Sequence, residues 1–78
     1  MRAIVRTNDI VLISLVQSIL EQADVPVFVA DTYFSSIEGS IGIFPRRILV
    51  PVDWMRQARR LLVDAGLEAE LEPVGADE

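Results

Sequence analysis

The sequence lacks two residue types that many catalytic and metal-binding sites use. Its 78 residues include no His and no Cys. A serine nucleophile needs a neighbouring base, most often His, and zinc sites are built mainly from Cys and His. Ser35, Ser36 and Ser40 therefore have no His to activate them. We expect a protein that is not an enzyme and that holds no metal and no cofactor.

A stretch in the middle of the chain could bind an anion. The segment Gly39–Gly42 precedes Arg46 and Arg47. Backbone N–H groups around glycines can hold an anion, and arginine binds carboxylate or phosphate. A Walker-type phosphate loop, however, runs into a helix and carries a Lys, whereas here a strand is predicted to follow and the chain has no Lys. Solvated arginines at the start of a strand are the simpler interpretation.

Hydrophobic periodicity predicts four strands and two helices. Strands show apolar residues at every second position or short apolar runs, and helices show an apolar stripe at helical spacing. The predicted strands are 2–6, 27–30, 46–52 and 67–72, and the predicted helices are 9–23 and 54–65.

The first predicted helix has the clearest stripe. Residues Thr7–Asp9 supply the N-cap, and Pro26 is expected to end the helix because proline disfavours helical geometry in the residue before it. Ile10 and Ile13 lie off the stripe, so they are either covered by a neighbouring loop or part of an exposed patch. The stripe expected to face the core comprises Leu12, Leu15, Val16, Ile19, Leu20 and Ala23.

The second predicted helix is bounded by Asp53, a good N-cap, and Gly66 at the usual C-cap position. Its outer face is expected to be solvated and charged. That face carries Arg56, Arg59 and Arg60, and the apolar stripe carries Trp54, Ala58, Leu61, Leu62 and Ala65, with Met55 at its edge.

The order β-α-β-β-α-β in a short chain predicts an α+β, ferredoxin-like sandwich. Its four strands would lie in the order 4-1-3-2, with both helices on one face. We expect a single domain over residues 1–73 and a flexible acidic tail over 74–78.

Alternation also predicts the residues of the open sheet face. Arg2, Ile4 and Arg6 should point away from the helices, opposite Glu68, Glu70 and Glu72 of the fourth strand. Opposite charges that pair across strands stabilise a sheet. The glutamates would be exposed, without the apolar pocket that acid–base catalysis needs. The second and third strands are nearly all apolar, so half of this face should be charged and half apolar.

The connection between the second and third strands, 31–45, is long and apolar. It is either a binding loop for a partner or ligand, or a loop that buries its own side chains. The second is favoured, because so many large apolar side chains left in water would be an aggregation hazard. The two interpretations agree if the loop packs against a second subunit. Its large apolar residues are Phe34, Ile37, Ile41, Ile43 and Phe44.

The net charge of −5 excludes some partners. Binding to nucleic acid or to an anionic membrane surface needs an excess of cations. The first residues lack the apolar core of a signal peptide, and the longest apolar run is too short to span a bilayer. We therefore expect a cytoplasmic protein that binds neither nucleic acid nor membrane.

With these elements in place, the chain resembles a family of small bacterial proteins described as putative prokaryotic signal-transducing proteins. The resemblance implies a ferredoxin-like fold akin to PII nitrogen regulators, in which the corresponding connection contacts target proteins. ATP binding does not carry over, because this chain is shorter and lacks both the second glycine-rich loop and Lys. The stretches that carry the resemblance are 6–9, 30–31, 37–42, 45–50, 58–62 and 65–66.

Together these features predict a non-enzymatic regulatory or signal-transducing module. It would bind an unknown protein partner through the 31–45 connection and the open sheet face, and it could form a homo-oligomer. The alternative is a sensor that binds an anionic metabolite near the arginine pair. The candidate binding residues are Phe34, Ile37, Glu38, Gly39, Ser40, Ile41, Gly42, Phe44, Arg46 and Arg47.

Overall fold

A computed structural model describes residues 1–30 and 46–73 of the chain. It shows an α+β arrangement in which two helices pack with a three-stranded antiparallel sheet of order β1-β3-β2. This arrangement is compatible with the predicted ferredoxin-like fold. The elements are β1 (Arg2–Thr7), α1 (Ile10–Gln22), β2 (Phe28–Ala30), β3 (Arg46–Val50), a 3-10 turn (Val52–Trp54), α2 (Met55–Asp64) and a second 3-10 turn (Glu68–Glu70).

One apolar core joins the sheet to both helices. Ile48 and Val50 of β3 are completely buried. They share this core with Val16 of α1 and Leu62 of α2. Because the buried residues of both helices and of the sheet form a single cluster, the helices cover the same face of the sheet.

A bulge in β1 changes the predicted alternation. Ala3 pairs with Leu49, but Val5 pairs with Ile48, so one extra residue, Ile4, is inserted in β1. An extra residue makes two consecutive side chains turn to the same side of the strand. Ile4 and Val5 are accordingly both fully buried. The prediction that Ile4 lies on the open face is therefore wrong.

The stripe of α1 is rotated from the predicted one. Ile13 is buried beside Val16 and Leu20, whereas Leu15 remains 45% exposed. Ile10 is exposed, so the two residues placed off the stripe have opposite environments. The burial of Ile13 and the exposure of Leu15 both follow from one rotation of the helix about its axis. Such a rotation buries residues on one edge of the predicted stripe and exposes those on the other edge.

Both helices end in the same motif. In α1 the Val25 N–H donates to the Leu20 carbonyl at 2.9 Å, and the Asp24 N–H donates to the Glu21 carbonyl at 3.0 Å. This Schellman motif needs a left-handed residue, which here is Asp24 with φ of 62°. The helix thus ends at Gln22, before Pro26 can act.

The start of α2 also differs from prediction. Asp53 lies inside the 3-10 turn, and no side chain caps the helix, which begins at Met55. The Trp54 N–H bonds instead to the carbonyl of Pro51. The helical turn therefore begins before Asp53, and the prediction that Asp53 caps the helix is wrong.

The predicted fourth strand is mostly absent from the described residues. The Leu67 N–H donates to the Leu62 carbonyl at the end of α2, and the next three residues form a 3-10 turn. Only Leu71 reaches the sheet, through an antiparallel bridge to Val5. This turn lies between the end of α2 and the bridge, so the segment reaches the expected edge of β1 without forming a strand. Ala69, which alternation in the predicted strand would turn toward the helices, is exposed.

Candidate functional site

The strand register places six residues on the sheet face away from the helices. Residues that pair directly across strands share one side of a sheet. Because Ile48 and Val50 point to the helices, their neighbours Arg47 and Leu49 point the other way. Two rows result, the cationic row Arg6, Arg47 and Ala30, and the apolar row Ala3, Leu49 and Phe28. We call these six residues the open face.

The open face is accessible in the described part of the chain. Arg6 and Arg47 are exposed, and Phe28 exposes 55% of its surface. Leu49, in the centre, is half-buried between its cross-strand neighbours. This surface is one side of the sheet, with a charged end and an apolar end.

Arg6 and Arg47 form a like-charged pair. They are direct partners across β1 and β3. Side chains so paired have Cβ atoms about 5 Å apart, and like charges there destabilise the sheet. Within residues 1–30 and 46–73, no carboxylate forms an ion pair with either guanidinium. Among the described residues, the pair therefore presents positive charge that no carboxylate compensates.

The predicted pair Arg46 and Arg47 is divided between the two faces. Consecutive residues of a strand point to opposite sides. Arg46 pairs with Thr7, is half-buried and already has a polar partner. Only Arg47 points to the open face, and the anion site predicted at these two arginines stays a prediction. Sequence reasoning placed Arg6 on the open face but missed its pairing with Arg47, which antiparallel pairing of the first and third strands could have indicated.

The other candidate binding residues lie outside the described part of the chain. This applies to the proposed glycine cradle and to the apolar residues of the 31–45 connection. They are Phe34, Ile37, Glu38, Gly39, Ser40, Ile41, Gly42 and Phe44. Their binding role stays a prediction.

The expected charge pairing between the first and fourth strands is not formed. Glu68 and Glu70 lie in the 3-10 turn, and Arg2 pairs with the buried Val50 and so falls on the helix side of the sheet. Glu72 acts through its backbone: its carbonyl accepts a 2.6 Å hydrogen bond from Nη1 of Arg59. Arg59 is therefore half-buried and engaged, unlike the solvated residue predicted.

Acidic residues in the described ranges do not form a metal site. No group of three or more His, Cys, Asp or Glu side chains there could hold an ion. None of the helices in these ranges is long and apolar enough to cross a membrane.

A shallow depression lies on the solvent side of α1. It has a volume of about 370 Å³ and is lined by Ser14, Gln17, Ser18, Glu21 and Gln22. All of these belong to one helix, and Nε2 of Gln22 already donates to Oγ of Ser18 at 3.1 Å. Since a single helix lines it and two of its polar side chains bond to each other, this depression is a weaker candidate than the open face.

Comparison with known proteins agrees with a role in signalling. No curated protein matches the chain. One family model matches residues 1–66, a range that includes all six residues of the open face. The chain therefore belongs to the family described as putative prokaryotic signal transducing protein.

Proposed function

We propose that this protein is a non-enzymatic interaction module of a signalling system. It binds a partner protein through the open face together with the adjoining 31–45 connection. The proposal is carried by the pair Arg6 and Arg47, which no carboxylate of the described residues neutralises, beside the exposed Phe28. Arginine and large aromatic residues are the side chains most enriched where proteins bind one another strongly.

The interior supports a binding role over a catalytic one. Within the described ranges, every buried residue is apolar, and none is polar or charged. Catalytic acids and bases usually lie in partly buried sites where their surroundings tune them. The charged residues of the open face are solvated, as expected of a surface that a partner covers.

A second candidate function is a sensor for an anionic metabolite. The close pair Arg6 and Arg47 favours it, since two guanidinium groups can hold one carboxylate or phosphate group. The pair differs from the one predicted, because Arg6 takes the place of Arg46. The position of these residues on the open side of a sheet favours a protein partner, as small-molecule sites are usually concave.

Site-specific photocrosslinking in cells tests the proposal. A benzoylphenylalanine replaces Phe28 on the open face or, as a control, Val63 on the exposed side of α2. We expect the variant at position 28 to form a discrete crosslinked product with one other protein and the control to form none. Equal products at the two positions, or none at position 28, would contradict binding through this face.

Thermal-shift and NMR titrations separate the sensor from the interaction module. Phosphate, citrate and nucleotides serve as anionic probes. A rise in melting temperature that Arg6→Ala abolishes, without any crosslink at position 28, would favour the sensor.

A further inference from the structure

We infer that the partner presents an acidic segment, with a carboxylate close to a large apolar side chain, to the open face. This inference rests on the proposed function and specifies the chemistry of the partner. Its support comes from three properties of the face: its charge, the arrangement of its two rows and its size.

The local charge favours an acidic partner even though the protein as a whole is acidic. The net charge is −5, which repels an acidic segment at long range. Interactions between exposed charges are screened beyond about 8 Å at physiological ionic strength. At contact, the partner therefore experiences mainly Arg6 and Arg47, and no carboxylate in the described ranges neutralises either one.

The spacing of the two rows sets the spacing within the partner segment. Arg47 and Leu49 lie two positions apart on β3 and mark the two rows. Strand geometry makes that separation about 7 Å. An extended segment has the same separation between side chains two positions apart on one side. A carboxylate facing Arg47 and an apolar side chain facing Leu49 and Phe28 would thus match the face.

The size of the face favours a segment over a second copy of this protein. Three strands of about five residues cover roughly 15 Å by 17 Å. That footprint is well below the roughly 800 Å² per partner of a stable interface. A two-fold contact would also set the cationic row against another cationic row or against the apolar row. Either contact is unfavourable, because it opposes like charges or buries arginine without a partner.

Binding of defined peptides tests the inference. The reference peptide carries Glu and Leu two positions apart in a Ser/Gly background, one control peptide has Lys for each Glu, and another has Ser for each Leu. Fluorescence anisotropy with the full chain measures each affinity. The variants are the double Arg6→Glu, Arg47→Glu and, as a control that adds negative charge away from the open face, Arg60→Glu on the exposed side of α2.

We expect the reference peptide to bind the unmodified chain at least about tenfold more tightly than either control peptide, and less tightly as salt is raised. The double variant should lose this binding and prefer the Lys peptide, whereas Arg60→Glu should change little. Circular dichroism establishes that each variant is folded.

Three outcomes would overturn the inference. The Lys peptide could bind the unmodified chain equally well, or Arg60→Glu could weaken binding as much as the double variant. The reference peptide could also fail to bind until Glu38→Gln removes a carboxylate from the 31–45 connection. That result would mean that the chain's own connection, and not a partner, occupies the open face. A crosslink at position 28 with any of these outcomes would keep the proposed function and reject only the acidic partner.

Discussion

Asp24 has a left-handed backbone conformation that residues other than glycine rarely adopt. Its φ is 62°, and it occupies in α1 the position that Gly66, with φ of 83°, occupies in α2. Asp tolerates this region better than most residues but retains the steric cost of its Cβ atom. Its negative charge also lies at the helix C-terminus, where the macrodipole favours cations.

Asp24→Gly should therefore stabilise the protein. We expect the free energy of unfolding in urea to rise by a few tenths to about 1 kcal/mol, because the left-handed conformation costs glycine little. Asp24→Asn separates the two causes, since it removes the charge and keeps the Cβ atom. A loss of stability in Asp24→Gly would show that the Asp side chain contributes more than its conformation costs.

Gly66→Ala provides the opposite test at the matching position of α2. A Cβ atom added at Gly66 meets no atom within 4 Å, so the substitution causes no clash. Only the left-handed backbone opposes it, and we expect a loss of about 1 kcal/mol in the free energy of urea unfolding. An unchanged stability would mean that the end of α2 can relax into another conformation.

Arg59 attaches the last described segment to the helix layer. Its Nη1 donates to the Glu72 carbonyl, and the Glu72 N–H in turn donates to the Ile4 carbonyl at 2.8 Å. Arg59→Met keeps most of the aliphatic stem and removes the donor. We expect about 1–2 kcal/mol less stability toward urea, because hydrogen bonds from charged groups exceed neutral ones.

Hydrogen exchange locates the effect of Arg59→Met. The Glu72 N–H should exchange faster, while the amides in the middle of α1 should change only with global stability. Arg60→Met is the control, since Arg60 is exposed and has no hydrogen bond in the described ranges. If both variants behaved alike, the bond to Glu72 would contribute nothing.

At the level of elements, local sequence signals located most of the fold. Both helices, their apolar periodicity and three strands were predicted within a few residues of the observed bounds. These signals act within one or two turns of chain, so they can be read without tertiary contacts. Asp9 is a clear case: its Oδ1 accepts from the Val11 N–H at 2.9 Å, as the N-cap prediction required.

The predictions failed where a tertiary contact overrides a local pattern. The bulge at Ile4 depends on the pairing of β1 with β3, and the turn at Glu68–Glu70 depends on where α2 ends relative to the sheet. Perfect alternation from Leu67 to Glu72 therefore did not make a strand. Burial in α1 was similarly assigned to Leu15 instead of Ile13, because several rotations of an apolar helix fit the same sequence.

Substitutions in α1 distinguish the observed helix rotation from the predicted one. Leu15→Asp should leave the domain folded, with a loss of about 1 kcal/mol or less, because its side chain already contacts water. Val16→Asp should prevent folding, since an unpaired charge in the core costs several kcal/mol. Circular dichroism with thermal melting measures both.

The reverse result would restore the predicted stripe. A folded Val16→Asp variant and an unfolded Leu15→Asp variant would mean that Leu15 faces the core. Ser14→Asp serves as the control for charge in the same turn, because Ser14 is exposed on the polar side of α1.

At the level of the whole molecule, the candidate site depends on register more than on motif. Arg6 and Arg47 are 41 positions apart in the sequence and meet only because β1 and β3 pair antiparallel. Sequence reasoning found the adjacent pair Arg46 and Arg47 because adjacency is visible without a fold. It also placed Arg6 on the open face, but it did not join Arg6 with Arg47.

The like-charged pair on the open face should lower the stability of the protein. Arg6→Glu replaces a like-charged cross-strand pair by an opposite one, which should raise the free energy of unfolding by about 0.5–1 kcal/mol. Arg47→Glu should act similarly, and the double variant should return close to the unmodified chain because two like charges again face each other. Urea titrations of all four proteins give the coupling between the two positions.

Arg60→Glu makes the same change in net charge on α2 and so measures the effect of overall charge alone. If Arg6→Glu were no more stable than Arg60→Glu, the two guanidinium groups would not interact, and the face would carry two independent cations. A gain that shrinks as salt is added would identify the interaction as electrostatic. Stability gained by removing a charge that the partner needs is the compromise expected of a surface selected for binding.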